Sequence, residues 1–384
     1  MDIVKEFEES FARYVNAKHA ISLSLGRNAL YTLLKSLGIK EGDEIIVPSF
    51  ICSSVPETIV SLNAKPVLVD VNQTFTIDES KIKENISERT KAIITVHTYG
   101  NPARIDTIKK MAQDEGVVLI EDVAHALGSK YKNKSVGSFG DYAIYSLTKN
   151  MINFGGGMIT TNEDSLTQTI RKSLETLHRE GKSIGGYLRK GYYSSYKFLS
   201  SLYESRGAPL SKDIIDMIAK LMNTLSDEEI VDSELLSYFK ITKVEAAIAH
   251  RQLKNLEEQN EKRKTNAEYL RKLFLEGNFF EFQKILPGAE PIFLYFSVLL
   301  SKDMAERKGE IIKTINKRSG IRSENPWSPF YLRTKYRKKY GIASYPVTED
   351  IVNRLVIFPM SPYYDEPKLI RIRDSFLETI KETT

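Results

Sequence analysis

The sequence predicts an α/β protein: a large domain built on a mostly parallel, mixed sheet, followed by a smaller α+β domain. Three observations point there. Short β-rich runs alternate with helical patterns through the first 160 residues, which is how parallel strands and their covering helices are laid out along a chain. That rhythm stops near Arg179 and returns in altered form after Pro291. A length of 384 residues is also enough for one large core and a second, smaller one.

In chain order, the predicted strands are His19 to Ser22, Glu44 to Val47, Pro66 to Val69, Ala92 to Val96, Val117 to Ile120, Tyr142 to Ser146 and Met158 to Thr161. Between the first two, Ala29, Leu30, Leu33, Leu34 and Leu37 recur at helical spacing until Gly38 ends the pattern, so these residues are core. From about 179 to 232 the chain carries a helical insertion in which Arg179, Lys182, Arg189, Lys190 and Lys197 interleave with Tyr187, Tyr192, Tyr193, Tyr196 and Phe198. Such a mixture suits a solvated helical face, a diphosphate substrate or a weak contact with an anionic lipid surface over 179–200. A long helix from about Lys243 to Phe274, with Val244, Ala247, Ile248, Leu253 and Leu256 on its buried side, is expected to bridge the domains. The expected division is therefore 1–236 and 237–384. The second part holds a strand at Phe293 to Leu300, a helix from Met304 to Ser319, a proline-containing loop around Pro326 and Pro329, and a last helix from near Glu366. The basic run Arg333 to Lys339 reads as solvated. No internal repeat or low-complexity tract is present.

Composition narrows the function. A net charge of +5 with interspersed signs gives no basic face for nucleic acid. The acidic, amphipathic start Met1-Asp-Ile-Val-Lys-Glu-Phe-Glu-Glu does not read as a signal peptide, and no apolar run reaches the roughly 20 residues that span a bilayer. A single cysteine, Cys52, fits a reducing cytoplasm, the expected location.

Candidate chemistry comes from three places. Ser24-Leu25-Gly26-Arg27-Asn28-Ala29 is a strand end running through glycine into a helix, and free amides there can hold a phosphate; ordinary strand-to-helix junctions look the same. The run Val117-Val118-Leu119-Ile120 delivers Glu121 and Asp122 at a strand's carboxyl end, where open α/β sheets bind ligands. A carboxylate at that rim needs a cation or several donors, and serves equally as a helix N-cap. Lys149 follows the strand end Asp141-Tyr-Ala-Ile-Tyr-Ser146 and precedes a flexible run, Gly155-Gly156-Gly157; alone it would be a solvated surface lysine. Together, an amine, a distant buried acid and a phosphate turn suggest pyridoxal 5'-phosphate (PLP), which needs a Schiff-base lysine and an anionic partner for its pyridine nitrogen. No metal site is indicated.

At this point the sequence resembles the DegT/DnrJ-type sugar aminotransferases, PLP enzymes of the aspartate aminotransferase fold (fold type I). The resemblance is carried by Gly42-Asp43-Glu44-Ile-Ile-Val-Pro48-Ser49-Phe50, Ala64-Lys65-Pro66-Val67-Leu-Val-Asp70, Thr90-Lys91-Ala92-Ile and His97-Thr-Tyr99-Gly100-Asn-Pro102. It continues through Ile120-Glu121-Asp122-Val-Ala124-His125-Ala126, Val136-Gly137-Ser138-Phe139-Gly140-Asp141, and Thr148-Lys149-Asn150 before Gly156-Gly157-Met158. It implies that Lys149 holds the cofactor aldehyde, Asp122 binds the pyridinium nitrogen and His125 lies near the ring's phenolic oxygen. Gly26, Arg27 and Asn28 would supply phosphate-binding amides, Ser146 a hydroxyl, and His97 and Tyr99 structural support. Also implied are an amino-acid donor such as glutamate, a keto-sugar acceptor, most often nucleotide-linked, and a homodimer with shared active sites.

The chain departs from the family pattern at several positions. Cys52 stands where many members stack an aromatic residue on the cofactor ring. The phosphate turn reads Gly26-Arg27-Asn28 in place of Gly-Thr-(Ala/Ser). Tyr238 stands where an asparagine often reaches the neighbouring subunit's phosphate. A histidine is missing near Asn325-Pro326-Trp327. The alternatives are a non-catalytic or regulatory protein on the same fold, for which Cys52 and Tyr238 speak, and a sugar dehydratase, against which Lys149 speaks because dehydratases of this fold replace that lysine with histidine.

Overall fold

The computed structural model describes residues 2–153, 155–180, 240–275, 280–341 and 343–383. The insertion expected at 179–232 lies outside these apart from its first two residues, and Tyr238 lies outside them altogether. The first part runs α1 (Ile3–Val15), β1 (His19–Leu23), α2 (Gly26–Ser36), β2 (Glu44–Pro48), α3 (Ser54–Ser61), β3 (Lys65–Val69), β4 (Thr90–Val96), α4 (Ile105–Asp114) and β5 (Val118–Asp122). It continues with β6 (Lys130–Tyr131), β7 (Lys134–Ser135), β8 (Tyr142–Ser146), α5 (Leu147–Asn150), β9 (Gly157–Thr161) and α6 (Asp164–Glu180).

Seven of these strands form one sheet in the order β1-β9-β8-β5-β4-β2-β3. The pairs β2–β3, β2–β4, β4–β5 and β5–β8 are parallel, and β9 runs antiparallel between β1 and β8. The expected mixed, mostly parallel sheet is thus present. Because successive strand residues face opposite sides, Ile46, Ile93, Leu119 and Ala143 join a core with Phe7 and Phe11 of α1 and Ile105 and Ile108 of α4. Their neighbours Ile45, Ile94, Ile120 and Ile144 join the opposite core, with Leu30, Leu33 and Leu34 of α2. Apolar residues on both faces are what a covered parallel sheet requires, and they explain the near-continuous hydrophobic runs.

The remainder forms α7 (Lys243–Leu253), α8 (Leu256–Leu275), β10 (Glu281–Phe282), β11 (Ala289–Glu290), β12 (Tyr295–Leu299), α9 (Lys308–Ser319), α10 (Thr334–Tyr340), α11 (Pro346–Arg354), β13 (Leu355–Pro359) and α12 (Glu366–Thr383). The antiparallel sheet β10-β12-β13 packs with α8, α9 and α12 around Phe274, Phe296, Ile311, Phe358 and Phe376. A further cluster joins Phe50, Val71, Phe75 and Tyr99 from the first part to Leu299, Ile351 and Ile357 from the second.

Two expectations need correction. The single helix from Lys243 to Phe274 is two helices, broken at Lys254 and Asn255. Its buried side is partly different: Leu253 and Leu256 face inward as expected, joined by Glu245, Ala246 and Ala249, whereas Ala247 is exposed and Val244 is 62% exposed. Ala246, Ala249, Leu253 and Leu256 recur at helical spacing and pack into the core with Phe7 and Phe11 of α1, which sets the inward face. A capping box starts the helix: Thr242 Oγ1 accepts the Glu245 N–H at 3.2 Å and Glu245 Oε2 accepts the Thr242 N–H at 2.8 Å.

The glycine run is not slack either. The Gly156 N–H donates to the Ser24 carbonyl at 2.5 Å, the Leu147 N–H to the Gly156 carbonyl at 3.0 Å, and a Cβ on Gly157 would stand 2.2 Å from the Leu25 oxygen. These contacts join the chain after Lys149 to the start of α2. Gly157→Ala must therefore push backbone apart, and a loss of about 2 kcal/mol or more is expected. Urea unfolding checks it, and an unchanged midpoint contradicts it.

Candidate active site

Two adjacent carboxylates at the end of β5 have opposite circumstances. Glu121 is fully buried, and its carboxylate accepts the N–H groups of Gly137 at 2.7 Å, Phe139 at 2.7 Å and Gly140 at 2.6 Å. His97 completes the set. Its Nδ1 accepts the Ala103 N–H at 3.1 Å, which puts the ring proton on Nε2, and Nε2 donates to Glu121 at 3.0 Å. With that many donors, Glu121 is a buried charge with its partners supplied. His97 thus has the supporting place expected of it.

Asp122 is provided for differently. Its Oδ1 accepts the Ala124 N–H at 2.9 Å, a contact within a turn; no helix follows, so Asp122 is not the helix N-cap weighed from the sequence. Burial nevertheless pushes its carboxyl up to about 6, against that N–H and the nearby charge of Lys149. A buried acid in this state is poised to receive a cation.

Asp122 faces a cavity of about 240 Å³ together with Gly26, Arg27, Cys52, His125, Ser146 and Lys149. Lys149 is brought there by α5, the single turn following β8. Gly26 and Arg27 open α2, whose first turn has no side-chain cap, so its N–H groups offer a place for an anion. Gly26 is needed for close approach: a Cβ there would lie 3.2 Å from Ser146 Cβ and 3.3 Å from the Tyr145 oxygen. Asn28, expected for its backbone amide, lies in the same uncapped first turn; its side chain turns down, donating to Ser24 Oγ at 2.8 Å, and does not line the cavity. Cys52 is half-buried on the wall, with Sγ 3.3 Å from Ser54 Oγ.

Several contributing residues gave no sequence signal. Gln252 of α7 clasps the backbone of Ile152, accepting its N–H at 2.9 Å and donating to its carbonyl at 2.8 Å. Asn150 donates to the Ala124 carbonyl at 2.9 Å, and buried Arg263 of α8 donates to the Asn150 carbonyl at 3.4 Å and to Asn260 Oδ1 at 2.7 Å. Burial pulls the Arg263 guanidinium down to about 10. Together α7 and α8 splint the turn that carries Lys149. Trp327, from the loop after α9, also lines the cavity. A tryptophan in a proline-bounded loop carries no periodicity, which is why it was passed over.

The residues fit PLP on the structure's own terms: a lysine and an acid held up by burial share one cavity with an uncapped helix start. Comparisons with known proteins agree. The model of the DegT/DnrJ/EryC1/StrS aminotransferase family matches residues 2–376. The spore coat polysaccharide biosynthesis protein SpsC of Bacillus subtilis is 28% identical over 386 residues, covering 99% of this chain and 89% of that one. The GDP-perosamine synthase of Caulobacter vibrioides is 43% identical over 171 residues, 44% of this chain and 46% of that one. Helicobacter pylori PseC, an aminotransferase involved in pseudoaminic acid biosynthesis, superposes with a TM-score of 0.78 at 20% identity, over 100% of this chain and 92% of that one.

Asp122 gives a pH signature. Its acidity in the fold lies near 6, above the ordinary 3.8, so the folded chain holds this proton more tightly than the unfolded chain does. Its contribution to stability is full below about pH 4 and lost as pH rises through about 6. Without ligand, Asp122→Asn is therefore expected to stabilise the protein at pH 7.5 by on the order of 2–3 kcal/mol and to flatten the fall in stability between pH 4 and 6. Denaturant unfolding of both chains across this range measures it, and parallel pH profiles contradict it.

Proposed function

The chain belongs to the DegT/DnrJ/EryC1/StrS aminotransferase family, and we propose that it uses PLP to move an amino group from an amino acid, glutamate, to a nucleotide-linked keto sugar by a ping-pong sequence. One observation carries this reading: Lys149, Asp122 and the start of α2 border a single cavity at the carboxyl edge of the parallel strands. The names of the relatives support the sugar, since one is a GDP-perosamine synthase and another a polysaccharide biosynthesis protein.

In this reading the tasks divide among the residues of the cavity. The amides opening α2 and the Ser146 hydroxyl hold the phosphate, with the helix dipole behind them. Asp122, ionised once a cation stands beside it, keeps a proton on the ring nitrogen. Bound PLP supplies the electron-poor ring that accepts the electron pair left when the donor's Cα–H bond breaks. The Lys149 amine would hold the cofactor's aldehyde, and its Nζ, once free, would take up the proton that leaves the donor's Cα. In the second half-reaction the same Nζ would give a proton to the sugar carbon that receives nitrogen. One amine therefore acts as nucleophile, base and acid, which requires it to be neutral when released. The active site, by family resemblance, is shared between two copies of the chain.

Glutamate alone should then yield about one equivalent of 2-oxoglutarate per site, a stoichiometry that follows from separable half-reactions. Lys149→Arg keeps the charge yet should lose the visible absorbance of lysine-bound PLP and at least about 100-fold in turnover. Ordinary turnover in that variant, or product release that waits for the sugar, contradicts the assignment.

A further inference from the structure

Resting on the proposed use of PLP, we infer that Trp327 supplies the aromatic wall against which the cofactor ring lies, the role left open by Cys52. The half-buried indole borders the same cavity as Asp122 and Lys149. Its centroid lies 5.2 Å from that of His125 with planes 21° apart, and 5.4 Å from Tyr99 at 32°. Tyr99 and His125 are 5.8 Å apart at 14°. Three centroids at these mutual distances form a triangle, so the rings are offset rather than sandwiched, and part of the indole is left to the cavity. Phe50 meets the same ring at 5.4 Å and 48°. Phe50 comes two residues before Cys52, so the indole is packed against the segment that carries the thiol.

The loop that presents Trp327 is fixed at both ends. Glu324 exchanges both backbone hydrogen bonds with Ile357 of β13, at 2.9 and 3.1 Å, and Ser323 is held by Asn316, which accepts its N–H at 2.6 Å and donates to its carbonyl at 2.9 Å. Downstream, Arg333 pairs with Glu57, itself on the cavity wall. Pro326 and Pro329 restrict the backbone between these anchors. A thiol offers polarizable contact but no ring face, whereas an electron-rich indole suits an electron-poor, protonated pyridine.

The test compares PLP binding to the unaltered chain, W327F and W327L, each freed of cofactor and checked for native circular dichroism. Phe and Leu both leave an apolar side chain, and only Phe keeps a ring face. By absorbance titration W327F should bind within about twofold of the unaltered chain and W327L about 3- to 10-fold more weakly, the range of one aromatic stacking contact. Trp327 is also the one tryptophan of the sequence, so its emission should fall as PLP is taken up. Equal affinity of W327L and the unaltered chain, equal weakening of W327F and W327L, or unquenched emission overturns the inference while leaving the proposed function standing. Failure of the unaltered chain to take up PLP overturns that function and this inference with it.

Discussion

Everything at this site depends on how two neighbouring buried carboxylates are treated. Glu121 receives three backbone N–H groups and an imidazole N–H, so it is a finished structural charge that ties the 137–140 turn and His97 to the end of β5. Asp122, one residue on, projects to the other side of the same strand, into the cavity, and burial leaves its ionisation unfavourable. The first carboxylate builds the edge of the sheet. The second leaves that edge in want of a cation, a want that the protonatable ring nitrogen of PLP would answer in the proposed function.

The amine opposite Asp122 is held by parts of the chain far away in sequence. A single helical turn is a weak platform, because a short helix owes its stability to tertiary contacts. Here Gly156 fastens it to Ser24, Gln252 to the backbone of Ile152, and Arg263 to Asn150. The cavity is therefore lined from β5, β8, α2, α3 and the turn of α5, with α7 and α8 supporting that turn from behind and Trp327 contributed by a loop from the last third of the chain. Such a site suits chemistry in which one nitrogen must be delivered repeatedly to the same atoms.

Much of this was legible in the sequence. The seven strands, the leucine face of α2, and Lys149, Asp122 and Gly26 as neighbours follow from periodicity and strand ends, while His125, Ser146 and Arg27 follow from the family resemblance, and the structure brings all six residues together. What escaped did so for physical reasons. The buried face of α7 is carried by the small Ala246 and Ala249 rather than by Val244, and alanines give a weak apolar signal. The glycine run was read as slack because a Cβ clash with Leu25 exists only after the chain has folded. Trp327 and Arg263 act across long sequence separations, which no local pattern records.

The central claim is that a covalent bond to PLP forms at Lys149 Nζ. Reducing the PLP-treated protein with borohydride fixes any such bond permanently, and peptide mass mapping then locates it. A single pyridoxyl adduct on the peptide containing Lys149 is the predicted result. An adduct on a different lysine, or none, would contradict the account.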